Sequence, residues 1–383
     1  MKARTAACAM LVLLVGACAS KPAQTAVTAR AGLCRVEPTD ATDPANANAR
    51  AMIEKQMQAR AIPGLQAAVV KHGRIVMLAS CGTASIEFSQ PVVRTTRFQL
   101  ASATKPFSGV AVMQLVEEGK LKLDAPIAEY LDGLPQAWRA VTVRQALMHV
   151  SGFPDIVDPA TGKPIDPRGE ASSWDRVTTL PMQFAPGQSY AYNQTNYLLL
   201  GRIIDKLRGK PFTDVIRERE FTPAGMPLAT YSDSSEIVPG RAVTYTNADF
   251  SGPTPKRTDV LKITYSEYPP SLRTGAGLTT TAEEVARWMI ALRDNKLISE
   301  ATRKEMWTTG KMPDGKPTVW ALGWPAFPRE QHPAVAGIGG AMAAFYYYPD
   351  DDVGLVILTN LQGGQPEQFI EQVAQLFDPA PDH

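Results

Sequence analysis

The chain has 383 residues, of which 44% are hydrophobic, and its 39 lysines and arginines nearly cancel 38 aspartates and glutamates to leave a formal charge of +1. That balance excludes the basic excess of a nucleic-acid binder, and the apolar fraction excludes a disordered chain. The four histidines (His72, His149, His332 and His383) lack metal-ligand spacing, so neither a metal nor a cofactor is expected. Length alone allows two or three average domains or one large composite one.

The N-terminus reads as an address. Lys2 and Arg4 precede an uncharged, mostly apolar run from Ala6 to Gly16. Such a run is too short for a bilayer, which needs roughly 20 apolar residues, so residues 1–17 are expected to be a secretory signal peptide. The segment Val15-Gly16-Ala17-Cys18 resembles the lipobox of bacterial lipoproteins. The resemblance implies cleavage before Cys18, a lipid on its sulfur and a membrane anchor in the cell envelope. Ordinary cleavage near Ala17 or Ala19, leaving a soluble periplasmic protein, is the alternative. Residues 18–48 are rich in Ala, Thr and Pro without apolar periodicity and read as a flexible tether. Cys8 leaves with the signal. Cys34 and Cys81 remain, either as one disulfide in an oxidising compartment or as free thiols.

The folded domain is expected over 49–383. A helix is predicted from Ala49 to Arg60, stopped by Pro63-Gly64. Leu65 to Val70 and Arg74 to Ala79, separated by Lys71-His72-Gly73, form a hairpin pattern. Ser102 to Glu118 is a helix ended by Gly119. A mostly helical insert follows over about 121–271. Within it, Thr142-Val-Arg-Gln145 has the capping-box pattern, Pro154 to Arg168 is loop, and Asn196 to Leu207 is helical. Thr280 to Leu292 is another helix. The end is β-rich, with strands at Val319 to Trp324, Ala341 to Tyr348 and Val353 to Leu358, and a closing helix from Gln365 to Phe377. In Tyr346-Tyr347-Tyr348 the side chains are expected to alternate between strand faces. Strands at both ends with helices between give an α/β (α+β) class: an antiparallel sheet built from both ends of the chain, flanked by helices.

The helix at Ser102 carries the chemistry. Lys105 is the only charge between Arg97 and Glu117, and the apolar run after it marks a buried helix. A lysine at the head of such a helix loses solvation, which favours a usable base. Ser102, three residues earlier, shares its face and sits at the positive end of the helix dipole. Ser-x-x-Lys therefore supplies a nucleophile and a partner for its proton. Ser102 as a plain N-cap, with Lys105 reaching to solvent, is the bland alternative. No G-x-S-x-G elbow occurs, which argues against an α/β-hydrolase triad.

Thr96 to Phe107 resembles the nucleophile segment of the class C β-lactamase-like serine hydrolases, a family of β-lactamases, D-alanyl-D-alanine carboxypeptidases and esterases. Similar stretches are Ile62-Pro-Gly-Leu65, Leu115 to Asp124, Leu147-Met-His-Val-Ser-Gly-Phe-Pro154, Pro186 to Gly201, Gly275 to Ala282 and Leu322-Gly-Trp324. The resemblance implies the serine β-lactamase and penicillin-binding-protein fold. It implies Ser102 as nucleophile, Lys105 as its proton partner and Tyr192 as general base and acid. Gln194 stands where the family's Tyr-x-Asn motif has asparagine, one methylene longer, in a substrate-binding position. Gly337-Ile338-Gly339-Gly340 matches the Lys-x-Gly or His-x-Gly strand, but its cation is missing. Gly337 and Gly339 would line the substrate, and the backbone N–H groups of Ser102 and Gly340 would form the oxyanion hole. His332, five residues before Gly337, is a candidate source of charge, and His149 is read as a loop anchor.

These readings converge on a serine hydrolase that forms an acyl-enzyme with an ester, amide or peptide-like substrate in the cell envelope. The missing cation favours esterase or peptidase chemistry. One alternative is D-Ala-D-Ala carboxypeptidase, penicillin-binding or β-lactamase activity. The other is a non-catalytic binding lipoprotein with a degenerate site.

Overall fold

A computed structural model of the chain describes residues 34–37, 43–158, 162–249 and 256–377. The expected signal peptide and Cys18 lie outside the described residues.

The chain begins with β1 (Arg35–Glu37), α1 (Pro44–Arg60), β2 (Gly64–Lys71) and β3 (Arg74–Ser85). Helix α1 starts earlier than expected because Asp43 caps it. The Asp43 carboxylate accepts from the Ala45 N–H at 2.9 Å, and Pro44 takes the first position, where a missing N–H costs nothing. Strand β1 pairs antiparallel with β3, and Cys34 is disulfide-bonded to Cys81. The expected tether is therefore corrected at its end: residues 34–37 and 43–48 belong to the fold. A three-residue strand is too short to show a pattern in sequence, and the cystine fastens it.

Short strands β4 (Gln90–Pro91) and β5 (Phe98–Gln99) lead through a 3-10 turn (Ala101–Thr104) into α2 (Lys105–Glu117). The insert contains α3 (Val143–Leu147), α4 (Glu170–Val177), α5 (Thr195–Arg208), α6 (Phe212–Ile216) and α7 (Thr222–Ala224). Both capping-box bonds at Thr142 and Gln145 form. The insert is less purely helical than expected. It also carries β6 (Thr230–Tyr231) and the hairpin β7 (Tyr245–Asp249) and β8 (Lys256–Ile263), whose mixed polar pattern hides a strand pair. Then come β9 (Leu278–Thr280), α8 (Ala282–Arg293), capped by Thr281, and α9 (Glu300–Trp307).

The C-terminal part supplies β10 (Ala326–Phe327), β11 (Ala334–Gly339), β12 (Ala343–Tyr348), β13 (Val353–Thr359), β14 (Leu361–Gln362) and α10 (Ile370–Ala374). Val319 to Trp324 is not the expected strand. It forms a tight turn, with the Ala321 N–H bonded to the Trp324 carbonyl and Gly323 at φ +94. The closing helix is broken at Phe369, where φ is −133, into a 3-10 turn and α10.

The main sheet has eight strands in the order β1-β3-β2-β13-β12-β11-β10, with β4 beside β3. The two chain ends meet where β2 pairs antiparallel with β13, from Leu65 opposite Thr359 to Lys71 opposite Val353. Side chains alternate between two cores. On β12, Phe345 and Tyr347 join the core that contains α2 and α8, whereas Tyr346 and Tyr348 join the core that contains α1 and α10. Helix α2 is thereby sandwiched between the sheet and the insert.

Candidate active site

The turn before α2 presents Ser102. Ala101 holds a left-handed backbone, φ +46, uncommon for a residue with a side chain. Three bonds hold the turn in this shape. The Leu100 N–H donates to the Leu278 carbonyl at 2.8 Å. The Ala103 N–H donates back to Leu100, and the Thr104 hydroxyl donates to the Ala101 carbonyl at 2.7 Å. Strained backbone kept by its surroundings is typical of working sites.

Lys105 opens α2 and is fully buried. Its Nζ lies 3.4 Å from Ser102 Oγ, 3.0 Å from Gln194 Oε1 and 2.9 Å from the Gly275 carbonyl. It also sits 4.7 Å from the centre of the Tyr192 ring and 4.9 Å from that of Tyr197. The Tyr192 hydroxyl is hydrogen-bonded to Ser102 Oγ at 2.7 Å. Ser102, Lys105, Tyr192 and Gln194 are thus brought together from two distant stretches. Gln194, in place of the family's asparagine, reaches Lys105, and the glycine at 275 leaves room for it: a Cβ there would lie 2.9 Å from Gln194 Oε1. The Gly275 carbonyl was not foreseen as a lysine partner. Its only signal was the Gly275 to Ala282 stretch as a whole.

Strand β11 ends against the nucleophile turn. A Cβ on Gly339 would lie 1.9 Å from the Leu100 carbonyl oxygen and 2.8 Å from the Ser102 nitrogen, so only glycine permits this approach. Gly340 follows at φ +57, where a Cβ would lie 3.1 Å from the Ala101 methyl. Gly337 does not open onto a vacant site: a Cβ there would lie 2.2 Å from the buried Phe345 ring. His332 does not supply the missing cation. It precedes β11 and pairs with Asp351 at 2.9 Å, whereas Ser102 packs at the other end of the strand, against Gly339, about 23 Å along an extended chain from His332.

Comparisons with known proteins bear on the family and the fold. The family model described as Beta-lactamase matches residues 49–377. The chain belongs to the Beta-lactamase family. Penicillin-binding protein 4* of Bacillus subtilis (strain 168) is 28% identical over 261 residues, covering 66% of this chain and 57% of that protein. Among solved structures, the octameric penicillin-binding protein homologue from Pyrococcus abyssi has a TM-score of 0.71 at 24% identity, covering 86% of this chain and 76% of that one. EstCE1, a hydrolase with promiscuous acyltransferase activity, also has a TM-score of 0.71, at 21% identity, covering 87% of this chain and 99% of that one. The two structural likenesses concern the fold. The chain spans 57% to 64% of the length of the curated relatives it matches first.

Around this Beta-lactamase-family core the surroundings are aromatic. His149 is fully buried at φ +57, its ring 4.4 Å from that of Tyr192, 5.2 Å from Tyr197 and 4.8 Å from Trp320. Burial, with the Lys105 charge adding to it, holds this imidazole well below the usual histidine range, so it is neutral. Burial pushes the Tyr190 hydroxyl up to about 12. It also pushes the Asp155 carboxyl up, against the backbone N–H groups of Gln194 and Val157 that donate to it. A cavity of about 500 Å³ opens beside Tyr192, between Pro154, Asp155, Val157, Ile165 and Leu180. Among the described residues no cluster of His, Cys, Asp or Glu could hold a metal ion.

Proposed function

We propose that the protein is a cell-envelope serine hydrolase that forms an acyl-enzyme on Ser102 with an ester, amide or peptide-like substrate. The observation that carries this reading is the 2.7 Å hydrogen bond between Tyr192 and Ser102, with Lys105 Nζ 3.4 Å from the same oxygen. Ser102 Oγ attacks the substrate carbonyl while its proton passes to the Tyr192–Lys105 pair, which has given up one proton to solvent before the attack. The backbone N–H groups of Ser102 and Gly340 receive the developing oxyanion. Tyr192 then gives the proton to the leaving alcohol or amine as that bond breaks. Water repeats the steps in reverse and frees the acid. Gln194, with Oε1 engaged by Lys105, offers its Nε2 group to a substrate carbonyl. The cavity beside Tyr192 suits the rest of the substrate.

The chemistry beside β11 favours substrates without a carboxylate at that position. Gly337 carries no cation, and the buried Phe345 ring fills the space a side chain there would need. Esters and simple amides fit this better than penicillins or D-Ala-D-Ala peptides, although the Bacillus relative's name keeps the penicillin-binding reading in the test. Incubating the protein and Ser102→Ala with a fluorophosphonate, a labelled penicillin and a panel of p-nitrophenyl esters decides among these. Ser102-dependent ester turnover is expected. Penicillin labelling without ester turnover would move the assignment to a cell-wall enzyme, and no Ser102-dependent adduct or turnover at all would leave a binding protein.

The envelope location rests on residues 1–18. Lipid on Cys18 would tether the domain to a membrane, and no helix among the described residues is long and apolar enough to cross one. Cys18→Ala is expected to release the protein into the soluble fraction. A variant that stays membrane-bound removes the lipid-anchor reading.

A further inference from the structure

We propose that His149 is a positioning residue that holds the Tyr192 hydroxyl against Ser102. The inference rests on the reading of Tyr192 as the proton carrier. Two bonds from one residue hang both chain neighbours of Tyr192. The His149 carbonyl accepts from the Ala191 N–H at 3.0 Å, and the His149 Nδ1 accepts from the Asn193 N–H at 3.3 Å. The Asn196 side-chain amide also donates to Nδ1, at 3.1 Å, while Asn193 Oδ1 accepts from the Asn196 N–H at 3.0 Å. With two donors on Nδ1, the single ring proton is on Nε2, which has no hydrogen-bond partner among the described residues.

The ring also acts as a wall. It lies 4.4 Å from the Tyr192 ring at 34°, with Tyr197 and Trp320 against its other sides. Tyr192 itself is 37% exposed, so the solvent side gives it little support. The charged and titratable groups around His149 are Lys105 and the hydroxyls of Tyr190, Tyr192 and Tyr197. A residue kept only for packing would need no acceptor at the Nδ1 position. Here that acceptor takes the backbone N–H next to Tyr192 on its C-terminal side, while Asn193 Nδ2 and the Gln194 N–H donate to the Phe153 carbonyl and to Asp155.

Asparagine separates positioning from packing. Its Oδ1 reaches the place of Nδ1 and accepts as well, and asparagine tolerates the left-handed backbone at this position. Glutamine fills similar volume but carries its amide one methylene too far. Steady-state kinetics with a p-nitrophenyl ester, melting curves and a crystal structure of H149A form the test. H149A is expected to lower kcat by about 10-fold or more with KM within about twofold, since a displacement near 1 Å can cost about 100-fold. H149N should restore most of kcat, and H149Q should not. In H149A crystals, Tyr192 should leave hydrogen-bond reach of Ser102.

Parental kcat in H149A, an unmoved Tyr192, or H149N no better than H149Q would each overturn the proposal. If H149A does not fold, the comparison of H149N with H149Q still decides. In a Tyr192→Phe background H149A should cost nothing more, and a further fall would also overturn it. Parental turnover in Tyr192→Phe alone would remove the proton-carrier reading, while the position of Tyr192 in H149A crystals judges the placement independently.

Discussion

The hydroxyl of Tyr192 is 2.7 Å from Ser102 Oγ, and the ring is one-third exposed, so its oxygen can be removed without unpacking a core. Tyr192→Phe is expected to lower kcat by about 100-fold or more while the melting temperature stays that of the parent, the range for a lost general base. Near-parental kcat would show that the proton takes another route. Ser102 and Lys105 were legible because three residues of helix necessarily put them on one face, and the apolar run after Lys105 announced its burial. The Gly275 carbonyl was not legible, because a backbone acceptor leaves no side-chain signature. His332 could be noticed but not placed. Its distance from Ser102 depends on which end of β11 meets the nucleophile turn, and that is set by sheet pairing.

At the level of elements, capping chemistry and periodicity located α2, α3, α5 and α8 to within a few residues. Failures occurred where a single contact outweighs local pattern. Strand β1 is held by Cys34–Cys81 and three register partners on β3. Trp320 to Trp324 turns because Gly323 packs onto Gly109 of α2, where a Cβ would lie 2.9 Å from the Gly109 α-carbon. The cystine lies on the α1 side of the sheet, whereas Ser102 lies on the α2 side. Replacing both cysteines with serine should therefore lower stability by about 2–4 kcal/mol, read by urea unfolding, with little change in kcat. Unchanged stability would mean that β1 is held without the cystine, and a large loss of kcat would mean that the two faces are coupled.

Across the whole molecule, the sheet-from-both-ends plan was readable from the order of strand and helix patterns alone, while the interior polar groups were not. Glu220 is one of these. It is fully buried, accepts from the Trp288 indole N–H at 2.9 Å, and has nearby the Tyr231 hydroxyl, which has no hydrogen-bond partner among the described residues. Burial pushes its carboxyl well above the usual range. The folded protein therefore keeps a proton that the unfolded chain loses above about pH 4.3, so stability falls as pH rises from there towards the folded value. Glu220→Gln keeps an acceptor for Trp288 and removes the titration. Its melting temperature should gain on the parent as pH rises from about 4.5 to 7. Parallel curves would mean that Glu220 is ionised in the folded state.

The sheet's pairing of β2 with β13 also has a consequence in time. During synthesis the chain carries Ser102 after the first 102 residues, but Gln194, Gly275 and Gly339 arrive much later, and β2 has no C-terminal partner until Thr359 has emerged. Contacts this distant in sequence close last. Until then Ser102 is an ordinary serine on an incomplete chain. The same closure that builds the core completes the surroundings of Ser102.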